Sequence, residues 1–211
     1  MIAIDSRLRS RSCLLRVASI SAALILAACS VAPTRFYTLA TPSQLSTAKP
    51  TTQNIFIEVP PIGLPERLAR PQLVVRSQNT RVDILEQDRW SSSFNYELRD
   101  ALASGLANRL GAVDVTRGGR PAGSPAYRIA IELREFDAAP GDKVQALFGW
   151  TITRSDNNRS AACQLAVSEP VSAGMDALVA GVQRAVADAV TIIAADVATL
   201  ATGNPVQCKT M

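Results

Sequence analysis

The chain has 211 residues, of which 47% are hydrophobic, 19% charged and 5% aromatic, and it contains no histidine. This length suits one domain or two small ones, with enough apolar side chains for a core, so extensive intrinsic disorder is not expected. Because histidine is absent, Ser-His-Asp and Cys-His nucleophile pairs and imidazole metal sites are excluded.

The net charge of +4 is concentrated near the amino terminus. Residues 1–28 hold four arginines and one aspartate, a net charge of +3, and the other 18 basic and 17 acidic residues leave only +1. A nearly neutral body does not indicate a phosphate-binding patch, so we do not expect nucleic acid as a partner.

An apolar run from Val17 to Ala28 follows these arginines and leads directly into Cys29. A basic start, an apolar stretch of about a dozen residues and small residues before the cleavage point are typical of a secretory signal peptide. A helix needs roughly 20 apolar residues to span a bilayer, so the run is too short for a permanent anchor. The ending Leu26-Ala27-Ala28-Cys29 resembles a bacterial lipobox. A plain signal peptide cut elsewhere is the alternative.

We therefore predict a lipoprotein signal peptide over residues 1–28 and a lipidated cysteine with a tether over residues 29–34. Cys29 would carry a covalent diacylglycerol and an N-acyl chain of the palmitate type, and no other cofactor is expected. Several acyl chains make a stable membrane anchor, whereas one gives only marginal binding. In bacteria with the usual lipoprotein sorting, an aspartate after the cysteine favours inner-membrane retention, so Ser30 indicates the periplasmic face of the outer membrane.

Two further cysteines remain in the predicted mature chain, Cys163 and Cys208. An oxidising periplasm permits a disulfide between them. Cys163 also lies in an alternating apolar run, which favours a buried free thiol. The sequence leaves both readings open.

The first half of residues 35–211, which we predict to form the domain, alternates short strands with turns before one helix. The predicted elements are a strand at 35–39, a linker at 41–53, a strand at 55–59, a hairpin of strands 72–76 and 80–86, and a helix from Phe94 to Leu110. The helix is predicted from an apolar residue at every fourth position, an N-cap among the serines at 91–93 and a closing Gly111.

The second half consists of three long strands and a long helix. Alternating apolar residues predict the strands at 127–133, 144–152 and 160–168, after a loop at 116–125. An alanine-rich helix starts at about Ser172 and is stopped by Gly203 and Pro205. This order predicts an α+β fold, a single two-layer domain with a mostly antiparallel sheet packed against two amphipathic helices.

Catalytic constellations are not evident in the sequence. Asp83, Glu86 and Asp88 read as solvated acids near a strand end, and Gly118-Gly119 lacks the lysine and the strand-turn-helix setting of a phosphate loop. The cysteines are too far apart for metal-ligand spacing, so no metal site is expected. We therefore expect a protein that is not an enzyme.

A proline-rich segment is the most distinctive part of the predicted domain. Rigid turns with exposed polar and apolar groups can serve as contact surfaces because they lose little entropy on binding. The alternative is a stiff connector. The candidate partner surface consists of Pro60, Pro61, Leu64, Pro65, Glu66, Arg70, Pro71 and Gln72.

Three motifs in order resemble the ABC-type transport auxiliary lipoproteins, the PqiC-like group. They are Arg35-Phe36-Tyr37-Thr38-Leu39, the central run from Leu64 to Arg76, and Asp88-Arg89-Trp90 before the first helix. The resemblance covers residues 34 to 201. The serines at 91–93 depart from it, because the family usually has a small residue, an acid and a proline there.

The resemblance implies an outer-membrane lipoprotein that acts as the docking or receiving component of a transport system. Its partners would be a periplasmic MCE-domain protein and inner-membrane permease or ABC components, and the cargo phospholipid or another hydrophobic molecule. Two alternatives stay open, a periplasmic carrier binding one lipid in an apolar groove and an outer-membrane assembly lipoprotein. Association into a homo-oligomer also stays open.

Overall fold

The computed structural model describes residues 32–40 and 55–208. The predicted signal peptide, Cys29 and the predicted linker lie outside these residues. All elements belong to the unit Thr34–Met211. They are β1 (Arg35–Tyr37), β2 (Ile55–Glu58), a short 3-10 helix (Glu66–Leu68), β3 (Gln72–Gln78), β4 (Arg81–Trp90), α1 (Phe94–Leu110), β5 (Ala112–Asp114), β6 (Ala126–Ala138), β7 (Lys143–Arg154), β8 (Ser160–Pro170) and α2 (Met175–Ala201).

The strands form two sheets, where the sequence predicted one. A three-stranded sheet has the order β1-β4-β3, and a five-stranded sheet has the order β5-β2-β6-β7-β8. The long pairings β3–β4, β6–β7 and β7–β8 are antiparallel, whereas the short pairings of β1 with β4 and of β2 with β5 and β6 are parallel. The predicted α+β class is confirmed, and most residue pairs are antiparallel.

The alternation predicted for the long strands matches their burial. On β6, Ile129, Ile131 and Leu133 are at most 4% exposed, while the residues between them face solvent. A register shift between Leu133 and Glu135 then changes which residues point inward. One face of the five-stranded sheet is therefore buried and the other wet.

Both helices pack against the buried side of the sheets. Leu98, Leu102 and Leu106 of α1 are essentially inaccessible, as the spacing of four predicted. The helix ends at Gly111, whose φ of 59° is the left-handed conformation that glycine adopts most easily. Ser93 is the N-cap residue, but the predicted side-chain cap is wrong, because its hydroxyl makes no capping hydrogen bond.

The long helix α2 is apolar enough to need a separate explanation. Among the described residues it is the one helix whose length and hydropathy would allow it to cross a membrane. However, 56% of its most apolar window is buried in the protein. Val182, Ile193 and Val197 belong to the same core cluster as the inner faces of both sheets. The apolar stripe of α2 thus serves the core.

Candidate partner surface

The proline-rich segment Pro60–Gln72 joins β2 to β3 and runs beside β6. The Gly63 amide donates to the carbonyl of Ile131 at 3.3 Å, and the Leu133 amide donates to the carbonyl of Gly63 at 2.8 Å. Ile62 and Leu68 are buried, with 7% and 4% of their surface exposed. Main-chain bonds and two apolar anchors therefore fix the conformation of this segment.

The eight candidate surface residues differ in exposure. Pro61 and Glu66 are exposed, and the other six are half-buried. Leu64 packs against the core, which explains its partial burial. The exposed positions of the segment are Pro61, Gly63, Glu66, Arg67 and Ala69. The predicted residues form one continuous segment of the structure. Arg67 is also exposed on this segment, although the sequence prediction omitted it.

Two arginines carry the polar chemistry of the segment. Arg67 is exposed, and its Nη2 donates to the carbonyl of Phe136 at 3.1 Å, which holds the guanidinium above the end of β6. Arg70 is half-buried, and its Nε is shielded from solvent without a hydrogen-bond partner among the described residues. A buried donor without an acceptor is costly, so Arg70 Nε is a locally unfavourable feature of the segment.

An aromatic cluster supports the segment from below. Trp90 stacks on Phe94 with ring centroids 5.1 Å apart, and Phe94 lies 5.3 Å from Phe136. The Trp90 amide donates to the carbonyl of Pro71 at 2.6 Å, and the Phe94 amide donates to that of Arg70 at 3.3 Å. Trp90 is only 5% exposed, so it packs in the core where β4 meets α1.

Glu97, in the first turn of α1, gathers hydrogen bonds from the chain on both sides of this corner. Its carboxylate accepts from the hydroxyls of Thr38, Ser91 and Ser92 at 2.5–3.1 Å, and from the Leu39 amide at 2.9 Å. Burial alone would raise the pKa of Glu97, but the bonds from Ser91, Leu39, Thr38 and Ser92 outweigh it and lower the pKa. The hydroxyls of Ser91 and Ser92 thus bind Glu97 and do not cap the helix.

A second buried carboxylate holds the first strand. Asp88 accepts from Arg35 Nη2 at 2.9 Å and from the Tyr37 hydroxyl at 3.1 Å. Burial, reinforced by the hydrogen bond to Asp88, raises the pKa of Tyr37. Leu39, just after this strand, is 3% exposed. The chain that follows the predicted tether is therefore an integral part of the fold.

An ion pair sets the point at which the segment leaves β2. Arg99 is 9% exposed, donates from Nη2 to Asp114 at 2.6 Å and from Nε to the carbonyl of Val59 at 3.1 Å. Burial would raise the pKa of Asp114, but hydrogen bonds from Thr116 and the Arg99 guanidinium lower it. Since Val59 directly precedes Pro60, this pair positions the start of the segment.

The cavities among the described residues differ in size and enclosure. The cavity between β3, the aromatic cluster and α2 has a volume of about 10 Å³ and is lined mainly by apolar side chains such as Leu73 and Leu178. It has room for roughly one water molecule and none for an acyl chain. Larger grooves of about 490 and 440 Å³ lie on the wet face of the five-stranded sheet and are open. Within the described ranges no cluster of potential metal ligands occurs.

Cys163 and Cys208 are joined by a disulfide in the structure, with a Cα–Cα distance of 5.4 Å. Cys163 lies on β8 opposite Trp150 of β7 and packs partly against the core. The bond holds the tail after α2 against the edge of the sheet. Cys29, the predicted lipidation site, lies outside the described residues.

The sequence matches the family of "ABC-type transport auxiliary lipoprotein component" proteins over residues 37–194. Among solved structures, an uncharacterized protein aligns with a TM-score of 0.64 and 18% identity, covering 79% of this chain and 99% of that one. A Xanthomonas campestris protein assigned to the family DUF330 aligns with a TM-score of 0.55 and 18% identity, covering 78% of this chain and 91% of that one. At these identities the two structures show a shared fold. No curated protein matches the chain.

Proposed function

Because the chain belongs to the family of ABC-type transport auxiliary lipoprotein components, we propose that it is the docking or receiving component of a transport system that moves phospholipid or another hydrophobic molecule between the two membranes. The partners in this proposal are a periplasmic MCE-domain protein and inner-membrane permease or ABC components. The protein acts by binding and has no catalytic step of its own.

The observation that carries the docking role is the rigid, solvent-facing Pro60–Gln72 segment. Its backbone is fixed by the bonds between Gly63 and β6, so little conformational entropy is lost when a partner binds. Glu66 and Arg67 present opposite charges at its surface. Arginine is enriched at interface hot spots because its planar guanidinium donates several hydrogen bonds at once.

The packing of the core favours docking over lipid carriage. A carrier needs an apolar cavity that holds an acyl chain, and the cavity beside α2 holds about 10 Å³. Native mass spectrometry of protein extracted without detergent tests this alternative. A stoichiometric bound lipid would support the carrier, and its absence is expected for a docking component.

The proposed anchor is the acylated Cys29 in the outer membrane. Replacing Cys29 by serine removes the thiol that accepts the diacylglycerol, so we expect an unprocessed precursor in the inner membrane. Cys13→Ser is the matched control, because that cysteine lies inside the predicted signal peptide and its loss should leave processing intact. Normal outer-membrane fractionation of the Cys29 variant would refute the anchor.

The docking surface is tested by charge reversal at one exposed arginine. Arg67→Glu places a carboxylate on the Pro60–Gln72 segment, whereas Arg109→Glu makes the same charge change at the opposite end of α1, about 25 Å from the aromatic cluster. We expect several-fold less MCE protein to be recovered with the Arg67 variant than with the Arg109 variant at equal thermal stability. Equal recovery would remove the segment from the interface, and recovery of a β-barrel without an MCE protein would favour the assembly role.

A further inference from the structure

The solvent face of the three-stranded sheet exposes several large apolar side chains. Phe36 on β1 is 66% exposed, and Val82 and Ile84 on β4 are each 44% exposed. Three of the five large hydrophobic side chains that the described residues expose lie here. A concentration of exposed apolar groups on one face is typical of an interaction or membrane-contact site.

Strand register places these side chains on one side of the sheet. Paired residues on neighbouring strands point to the same face, and the pairs on the solvent side are Phe36 with Arg89, Arg89 with Gln72, Val74 with Ile84, and Arg76 with Val82. The alternate residues Leu73 and Val75 of β3 are buried, which identifies the other side as the core face. We call the solvent side of β1, β4 and β3 the outer face of the small sheet.

The outer face is tied closely to the proposed anchor. Only residues 30–34 separate Cys29 from β1, and even fully extended this chain reaches about 20 Å. β1 cannot move away from the domain, because it pairs with β4 and is followed by the buried Leu39. Lipidation of Cys29 therefore keeps Phe36 within about 25 Å of the acylated residue.

Arginines on the outer face suit the same environment. Arg89 and Arg76 are each 35% exposed at the side chain, and they pair with Glu86 at 3.3 Å and with Asp137 at 2.6 Å respectively. The pairs keep the face nearly neutral, so an anionic bilayer does not repel it. A long arginine stem can lie along apolar surface while its guanidinium reaches lipid phosphates.

We propose that the outer face of the small sheet lies on the bilayer that holds the acylated Cys29, with Phe36, Val82 and Ile84 at the boundary between headgroups and acyl chains. This inference rests on the proposed lipidation. Contact at this face gives the domain one fixed orientation on the membrane, which a flexible tether alone does not provide. Each apolar side chain that leaves water adds to the binding.

The test uses the full lipidated protein in vesicles of phosphatidylethanolamine and phosphatidylglycerol that contain a nitroxide-bearing lipid. A fluorophore is attached to a cysteine introduced at Ile84, and in a second sample at Val113. Val113 on β5 is the matched control, because it is 49% exposed but belongs to the other sheet. We expect the nitroxide to quench the label at Ile84 several-fold more strongly than the label at Val113.

The possible outcomes distinguish a failure of the membrane-contact proposal from a failure of the proposed lipid anchor. Protein that does not float with the vesicles overturns both proposals. Protein that floats but shows no more quenching at Ile84 than at Val113 leaves the anchor standing and overturns the membrane face. A label at Ile84 that is shielded from water but is not quenched by the nitroxide lipid indicates that protein covers the face. This result also overturns the membrane-contact proposal.

Paired substitutions examine the contact itself. Phe36→Ser should reduce the quenching of the label at Ile84 several-fold, because it removes the most exposed apolar side chain of the face. Val113→Ser should leave that quenching unchanged. Thermal unfolding of both variants, measured in detergent, verifies that the fold is intact, and unchanged quenching in a folded Phe36 variant contradicts the proposal.

Discussion

At the scale of single residues, Glu97 shows how one buried carboxylate joins distant parts of the chain. Its two oxygens receive donors from Thr38 and Leu39 after β1 and from Ser91 and Ser92 after β4. No cation takes part in these four bonds, so uncharged donors and the N-terminal end of α1 stabilise the charge. The first strand and the helix are thereby held together.

Glu97→Gln is expected to lower the free energy of unfolding by about 1–3 kcal/mol at pH 7, because an amide presents one donor where the carboxylate accepts at both oxygens. The pKa of Glu97 is lower in the folded chain than its unfolded value of about 4.3. Its contribution is therefore complete above that value and is lost as the pH falls through the folded pKa. Denaturant titrations of wild type and variant should converge in acid.

The control for this prediction is the exposed Glu135, for which Glu135→Gln should change the unfolding free energy little at pH 7. A difference between wild type and the Glu97 variant that stays constant from pH 7 to pH 3 would contradict the role of the ionised carboxylate.

At the scale of residues, the sequence predicted the positions of residues better than their hydrogen-bond partners. Ser93 is the N-cap residue within the predicted serine run, but the hydroxyls of Ser91 and Ser92 bind Glu97. An acidic residue in the first turn was a visible signal for a charge near the helix terminus. Its donors were not visible, because Thr38 and Leu39 are 59 and 58 residues away. Contacts of that separation follow from the tertiary fold.

At the scale of elements, the two helices approach closely at a glycine. A Cβ atom added to Gly105 would lie 2.8 Å from Cγ2 and 3.2 Å from Cγ1 of Val190 on α2. Val190 is buried and β-branched, so its side chain cannot easily turn away. The small residue therefore permits the packing of α1 on α2.

Gly105→Ala should destabilise the protein by up to about 2 kcal/mol. Alanine normally favours a helix over glycine by about 1 kcal/mol, but overpacking of a tight core costs about 1–3 kcal/mol. Ser104→Ala, at the exposed neighbouring position, is the control and should be neutral or slightly stabilising. Thermal unfolding of the Gly105 and Ser104 variants is the measurement. Adding Val190→Ala should partly restore the melting temperature of the Gly105 variant. A higher melting temperature for Gly105→Ala would rule out the close contact.

The tail after α2 is the other element-scale constraint. The Cys163–Cys208 bond closes a loop with a sequence separation of 45. Restricting the unfolded chain in this way stabilises the folded state by about 2–4 kcal/mol. A thiol reductant should therefore lower the melting temperature of the wild type and leave that of a Cys163→Ala, Cys208→Ala double variant unchanged. Reaction of both cysteines with a thiol reagent in denatured protein that has not been reduced would contradict the disulfide.

Elements were predictable where a periodic pattern ran for several turns or strand pairs. The β6–β8 meander and both helices carry such patterns, and their positions follow the expectation closely. β5 was missed because Ala112–Asp114 has three residues, too few to show alternation. The division into two sheets was also missed, because it depends on the parallel pairing of β1 with β4 across 53 positions. The strand predicted at 80–86 continues to Trp90, beyond a register shift in its pairing with β3. This extension depends on pairing with residues distant in the sequence, so the local pattern did not indicate it.

At the scale of the whole molecule, one core unites β1, the Pro60–Gln72 segment and α2. The main buried cluster contains Leu39 beside β1, Leu68 in the Pro60–Gln72 segment and Ile193 in α2. Unfolding of any of these regions exposes part of the same core, so the described domain should unfold cooperatively. The positions of both proposed contact surfaces then depend on a single folding equilibrium.

The charges on this domain should be constant near neutral pH. The sequence has no histidine, which is the side chain whose ordinary pKa lies closest to neutrality. Cys163 and Cys208 are joined in a disulfide and do not titrate. Acylation of Cys29 would remove the amino group whose pKa is usually about 7.7–8.0. Stability and partner capture should therefore both be flat between pH 6 and 9.

Acid should end this plateau. Glu97 and Asp114 have lowered pKa values, so the folded state loses their stabilisation as the pH falls below the ordinary carboxyl range of about 4. Asp188 acts in the opposite sense, because burial and the neighbouring Glu169 raise its pKa, and its protonation favours the folded state. Glu97 and Asp114 each accept several hydrogen bonds as ionised carboxylates, so we expect a net loss, measurable as a falling melting temperature below about pH 4. A transition in stability or partner capture near pH 7 would instead require a titrating group that the histidine-free sequence does not supply, and it would place the pH sensitivity in the partner or in an unacylated amino terminus.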